Sequence, residues 1–238
     1  MKLDVLVFGA HPDDAELGCG GTIISMIESG KKVGIIDLTQ GELGSKGDAE
    51  TRERESHRAN EIMGVIIREN LLMSDGFFSH NMQNSLKIIE TIRKYKPDLI
   101  LTNAPSDRHP DHGRACKMVT EACFLSGLVK IETQIKGKWQ EKWRPKLVFH
   151  YIQDRYLKPD FVFDITPYFD KKMEAIAAYS TQFFNPDDKT DPTPISTKEF
   201  WDFLAARARE FGRSGGVEFA EGFIAERTLA VNHFGAFL

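Results

Sequence analysis

Two short stretches carry most of the groups that could do chemistry. "AHPDDAELGCGGT", residues 10–22, supplies His11, Asp13 and Asp14, and "SDRHPDHG", residues 106–113, supplies His109, Asp111 and His112. Adjacent carboxylates such as Asp13 and Asp14 repel one another and resist desolvation unless a cation or a proton lies between them. Two imidazoles and one carboxylate, with a coordination position left open, form a catalytic zinc set. The same mixed N and O donors also suit Fe²⁺, Mn²⁺ or Co²⁺. Such a metal acidifies bound water and polarises a carbonyl. A carboxylate left over could then take the water's proton, and a spare histidine could protonate a leaving group or steady an oxyanion. Spacing alone does not say which aspartate does which.

A single HPD triplet is an ordinary turn, in which Pro fixes φ and Asp caps the next helix. What sets these two apart is the elements that precede them. Leu3–Gly9 is a near-continuous apolar run, the pattern of a central parallel strand covered on both faces, and Ala15–Ser29 has helical spacing up to Gly30. "KKVGIIDLT" reads as a second strand, and Asp48 as the N-cap of a helix running to Met63 before Gly64. "VIIRENLLM" is a third strand, Asn84–Tyr95 a helix stopped by Pro97, and "PDLILTNA" a fourth strand feeding a helix over Arg114–Leu125. "KLVFHYI" and "DFVFDI" read as later strands, Met173–Tyr179 and Lys198–Phe211 as amphipathic helices. Alternating strands and helices imply an α/β fold with a mostly parallel sheet. In a doubly wound sheet of order 3-2-1-4-5, strands one and four are neighbours at the switch point, so their carboxyl-end loops share the ligand crevice. Topology alone therefore brings the two histidine loops together. With no repeat and no long linker, residues 1–238 read as one domain whose C-terminal third decorates the sheet.

Composition narrows the classes. At 41% hydrophobic and 28% charged residues the chain is ordinary globular protein. Its net charge of -4, without a basic run, argues against nucleic acid as a partner. No apolar segment approaches a bilayer span, and the N-terminus lacks the pattern of a signal peptide, so neither membrane nor export is expected. Cys19, Cys116 and Cys123, odd in number and without CxxC spacing, read as reduced thiols of a cytoplasmic protein. Gly18, Gly20 and Gly21 do not satisfy GxGxxG, and close packing of the first helix on the sheet accounts for them.

"AHPDDAELGCGGT", "TQGELGSKG", "TRERE" and "DRHPDHGRA", in that order, resemble the LmbE/PIG-L family of zinc-dependent de-N-acetylases. "YSTQF" (179–183) and "GGVEFAEGF" (215–223) resemble its bacillithiol-biosynthesis branch, which deacetylates N-acetylglucosaminyl malate. The resemblance implies a Rossmann-like three-layer sandwich with the active site at the carboxyl ends of strands one and four. It implies a small amino-sugar glycoside as substrate and a homo-oligomer, often a hexamer. It makes His11, Asp14 and His112 the metal ligands and Asp13 the general base. His109, paired with Asp111, becomes the general acid or oxyanion stabiliser, and Arg52, with Arg108, a substrate-binding residue. The family's active-site tyrosine has no clear counterpart: Phe200 aligns there, with Tyr179 and Tyr168 as substitutes. Other readings are deacetylation of another N-acetylglucosamine conjugate or chitooligosaccharide, ester or phosphoester hydrolysis on the same ligands, or a non-catalytic metabolite-binding regulator.

Overall fold

The computed structural model describes residues 1–231 and 233. Its strands are β1 (Val5–Gly9), β2 (Val33–Thr39), β3 (Ile67–Met73), β4 (Leu99–Asn103), β5 (Gln134–Ile135), β6 (Lys138–Trp139), β7 (Leu147–Tyr151), β8 (Phe161–Asp164) and β9 (Ala220–Ala225). Its helices are α1 (Asp14–Glu28), α2 (Ala49–Met63), α3 (Met82–Tyr95), α4 (Pro110–Leu125), α5 (Phe169–Ala177) and α6 (Lys198–Gly215). The central sheet has seven strands in the order β3-β2-β1-β4-β7-β9-β8, and β5 and β6 form a separate small hairpin.

β1 is the pivot. It pairs in parallel with β2 (Val7 opposite Ile35) and with β4 (Val7 opposite Leu101), so the chain reverses direction across the sheet there. Its unbroken apolar run follows from double coverage. Val5 and Val7 face the core under α1 and α2, while Leu6 and Phe8 face the core under α3 and α4. The expected order 3-2-1-4-5 is present, with β7 in fifth place parallel to β4.

The C-terminal third differs from the expected decoration. β9, which the sequence reading missed as a strand, inserts antiparallel between β7 and β8 and so widens the sheet. It also holds α1. That helix breaks at Cys19 (φ -148°), and its second half begins with free N–H groups. Glu221 of β9 caps them, its carboxylate accepting from Gly21 N (2.9 Å), Thr22 N (2.8 Å) and the Thr22 hydroxyl (2.6 Å). Lys172 of α5 closes the group, 2.7 Å from Glu221 and donating to the Leu17 carbonyl at 2.9 Å. Two of the three glycines of α1 are packing residues: a Cβ on Gly18 would stand 2.1 Å from the Tyr151 ring and one on Gly21 2.7 Å from Ile165, whereas one on Gly20 would meet Lys172 at an ordinary 3.4 Å.

Among the helices, Asp48 caps α2 by accepting from Thr51 N at 2.7 Å, and Gly64 ends it at φ 81°, as expected. α4 begins a turn earlier than its apolar periodicity suggested, because His109 is its N-cap and Pro110 occupies the first helical position. α5 likewise begins earlier, at Phe169. No helix of the described residues is long and apolar enough to cross a membrane.

Candidate active site

The β1–α1 and β4–α4 loops meet at the carboxyl edge of the sheet. Asn103, last residue of β4, joins them: its side-chain oxygen accepts from Ala10 N and its amide donates to Asp14, both at 3.0 Å. Ring centroids of His11 and His109 are 4.6 Å apart, those of His109 and His112 5.4 Å, and those of His11 and His112 5.6 Å.

Asp14 lies between two of these imidazoles, 3.2 Å from His112 Nε2 and 3.6 Å from His11 Nδ1. It also accepts from His11 N at 3.0 Å and from the Gln153 amide at 2.8 Å. His112 rests its other nitrogen, Nδ1, on Asp107 at 2.7 Å. Burial pulls the pKa of His11 down, but hydrogen bonds to Asp111, Asp14 and Asp75 outweigh it and hold it well above the ordinary value. Burial likewise opposes protonation of His112, yet the Asp14 charge and the Asp107 hydrogen bond raise it to about 9. Asp14 is held well below the usual carboxylate range, burial being overcome by His112 and His11. The surrounding carboxylates thus favour a positive charge where the two rings meet Asp14. Potential ligand atoms of His11, His109 and His112 lie within 4.8 Å of one another, and so do those of His11, Asp75 and Asp111. With the Asp14 carboxylate against two of the three imidazoles, this donor set fits a divalent metal.

Asp13 is the other carboxylate of the pair, and its surroundings differ. It sits at φ 114°, a left-handed conformation that costs a non-glycine residue of order 1–3 kcal/mol and marks a functional constraint. It is buried, and burial raises its pKa to about 7 while the Arg52 charge opposes that rise. Arg52 of α2 reaches Asp13 Oδ2 at 2.8 Å, the Pro12 carbonyl at 2.6 Å and the Gly41 carbonyl at 3.2 Å. Gly41 (φ +66°) has to lack a side chain, since a Cβ there would stand 2.2 Å from the guanidinium.

His109 Nδ1 accepts from the Asp111 backbone N–H at 3.2 Å, which leaves Nε2 as the ring's N–H. Burial, followed by the charges on His11 and His112, lowers its pKa. The expected pairing of His109 with the Asp111 carboxylate is not what forms. That carboxylate is fully buried behind the histidines, 3.3 Å from His11 Nε2, accepting from Gly76 N at 2.8 Å and from Arg114.

These groups floor a cleft of about 290 Å³. His11, Asp13, Asp14, Arg52, Arg108, His109 and His112 all line it, and Asp111 does not. Its walls come from Leu43–Lys46, from Gln153 and Asp154, and from Thr193–Ile195 with Phe200 and Leu204. Phe200 does face the cleft, but neither suggested substitute does. Tyr179 is buried with its hydroxyl on Glu16 at 2.9 Å, and among the described residues no tyrosine lines the cleft. Arg108 is half exposed and paired with Asp154 at 3.1 Å. "YSTQF" braces the site from outside: Ser180 and Thr181 hold Glu55 of α2, and Gln182 donates to the Lys46 carbonyl at 2.6 Å.

Asp75, Asp107, Asn103 and Gln153 escaped the sequence reading. Asp107 stood in plain view two residues before His109. The others occupy the carboxyl ends of β3, β4 and β7, where a doubly wound sheet collects its ligand-facing groups.

An α/β protein with a mostly parallel sheet and a histidine–aspartate cleft at its switch point is the class these features define. The family of PIG-L, described as GlcNAc-PI de-N-acetylase, matches residues 6–123, and the chain belongs to it. The conserved protein TT1542 of Thermus thermophilus is 34% identical and superposes with a TM-score of 0.85 over 97% of this chain and 98% of that one. A diacetylchitobiose deacetylase of Thermococcus kodakarensis is 29% identical over 230 residues, 92% of this chain and 81% of the relative. A probable N-acetyl-alpha-D-glucosaminyl L-malate deacetylase 2 of Bacillus cereus is 29% identical over 195 residues, 76% of this chain and 84% of the relative.

Proposed function

We propose that this protein hydrolyses the acetamide of an N-acetylglucosamine-type conjugate with a divalent metal, zinc by preference, held by His11, Asp14 and His112. The observation that carries this reading is the buried Asp14 carboxylate between two strongly basic imidazoles, with Asp13 beside it on the same cleft floor. A bound metal supplies a Lewis acid for the acetamide carbonyl and lowers the pKa of water.

Asp13 takes a proton from the attacking water, and a pKa near 7 suits that task at neutral pH. The same carboxyl can then return the proton to the leaving amine. His109 is neutral, with Nδ1 engaged by a backbone N–H, so its Nε2–H is a hydrogen-bond donor to the developing oxyanion. Arg52 fixes Asp13 in its left-handed conformation, and Leu17, Phe200 and Leu204 exclude water on the apolar side.

The cleft's cations bear on the aglycone. Lys46 is paired with Asp188 at 2.7 Å, Arg108 with Asp154 at 3.1 Å, and Arg52 with Asp13 at 2.8 Å. An uncharged aglycone, such as a second amino sugar, fits without breaking any of these pairs. A malate aglycone is the second reading, favoured by the position of Arg108 at the cleft mouth, where it can exchange Asp154 for a substrate carboxylate. Acetate release from N,N'-diacetylchitobiose, N-acetylglucosaminyl malate and N-acetylglucosamine, with and without a chelator, tests the proposal. Chelator-sensitive release from a conjugate supports it, and release indifferent to metal removal refutes it.

A further inference from the structure

Both ring nitrogens of His11 face carboxylates. Nδ1 is 3.6 Å from Asp14 Oδ2, while Nε2 is 3.0 Å from Asp75 Oδ1 and 3.3 Å from Asp111 Oδ2. A ligand histidine needs one nitrogen bare for the metal and the other fixed by an acceptor, and that acceptor decides which nitrogen is which. Resting on the metal site proposed above, we infer that Asp75, just beyond β3, is the positioning residue for His11: it takes the Nε2–H and leaves Nδ1 as the ligating atom.

Asp75 is favoured over Asp111 by what each carboxylate already does. Asp111 Oδ2 accepts from Gly76 N at 2.8 Å and its Oδ1 is taken by Arg114. Asp75 Oδ2 accepts from Leu43 N at 2.9 Å, but among the described residues Oδ1 meets only His11, and at the shorter distance. In this structure the hydrogen bond of Nε2 is aligned on Asp111 Oδ2. Asp75 Oδ1 stands beside it at 3.0 Å, buried, so that a small turn of the ring gives the proton to Asp75 in a site little weakened by water. The arrangement at His112 is the counterpart: there Asp107 holds Nδ1 at 2.7 Å and Nε2 is the atom turned to Asp14. Each imidazole flanking Asp14 thus has a separate carboxylate behind it. Through its second oxygen Asp75 also fixes Leu43, a wall of the cleft, so one side chain sets both a ligand and the rim above it.

Asp75→Asn separates the two roles. The amide oxygen can still accept from Leu43 N, while the amide nitrogen cannot accept from His11. We expect the Zn²⁺ dissociation constant, measured by competition with a chromophoric chelator, to rise about 10- to 100-fold. Because Asp75 also faces the protonated His11 of the metal-free chain, the melting temperature of the metal-free variant should fall somewhat, so the zinc constant is read at a temperature where both chains are folded. In the zinc-loaded parent, ¹⁵N histidine spectra should place the His11 proton on Nε2, a readout that holds even if the variant fails to fold. Parent-like zinc affinity in Asp75→Asn, or a His11 proton on Nδ1, overturns the inference while leaving the metal site standing. Failure of the parent chain to bind zinc removes the metal site and this inference together.

Discussion

Arg52 offers a sharp test, because its guanidinium is committed to Asp13, Pro12 and Gly41 rather than held out to substrate. Replacing it with Met keeps much of the apolar stem and removes the charge 2.8 Å from Asp13. A hydrogen bond to a charged group contributes about 1.5–3 kcal/mol, and each pKa unit is worth about 1.4 kcal/mol. The Asp13 pKa should therefore climb by about one to two units from its value of about 7. At pH 7 the ionised fraction falls from about half to between about a tenth and a hundredth, a rate loss of about fivefold to fiftyfold. The signature is the acid limb of the pH–rate profile, which should move upward and let activity recover at higher pH. Arg52→Lys should be impaired as well, since one ammonium cannot reproduce the guanidinium fork. If Arg52 instead binds substrate, KM rises and the acid limb stays where it was. That result would refute the assignment of Arg52 to Asp13.

The raised histidines predict proton release. Zinc binding at pH 8 should expel about two protons, read from calorimetry in buffers of different ionisation enthalpy, because His11 and His112 are both protonated in the metal-free chain. In that metal-free state the stabilisation due to His112 is fully present below about pH 6.5 and is lost as pH rises through about 9. Gly18→Ala drives a Cβ into the Tyr151 ring at 2.1 Å and should destabilise by about 1–3 kcal/mol, seen as a melting temperature lower by several degrees. Arg108→Ala should leave turnover of N,N'-diacetylchitobiose nearly intact and raise KM only for the malate conjugate. Equal effects on both would place Arg108 outside aglycone recognition.

The sheet order and the meeting of the two histidine loops were legible because both follow from local pattern: an apolar run for β1, acid–histidine loops at two strand ends, and the parallel topology that joins them. Asp48 and Gly64 marked α2 because cap chemistry is local. β9 was not legible, since "AEGFIA" has little alternation and owes its place to pairing with β7 and β8. Asp111 was assigned to the wrong partner because neighbours in sequence at a helix start diverge in space, and its carboxylate turns to His11 and Gly76. Asp75 carries no motif at all. The pairing of β3 with β2, and the hold of Glu42 and Leu43 on the residues after β3, bring it to the histidines.

The central claim is that Asp13 acts on water at a metal that His11, Asp14 and His112 hold without it. Its most direct test is Asp13→Asn, with acetate release from a responsive N-acetylglucosamine conjugate and bound metal measured on the same sample. Asp13→Asn should keep the divalent metal content of the parent chain and turn over more slowly by about 10²-fold or more. Near-parental turnover with the metal retained would contradict it.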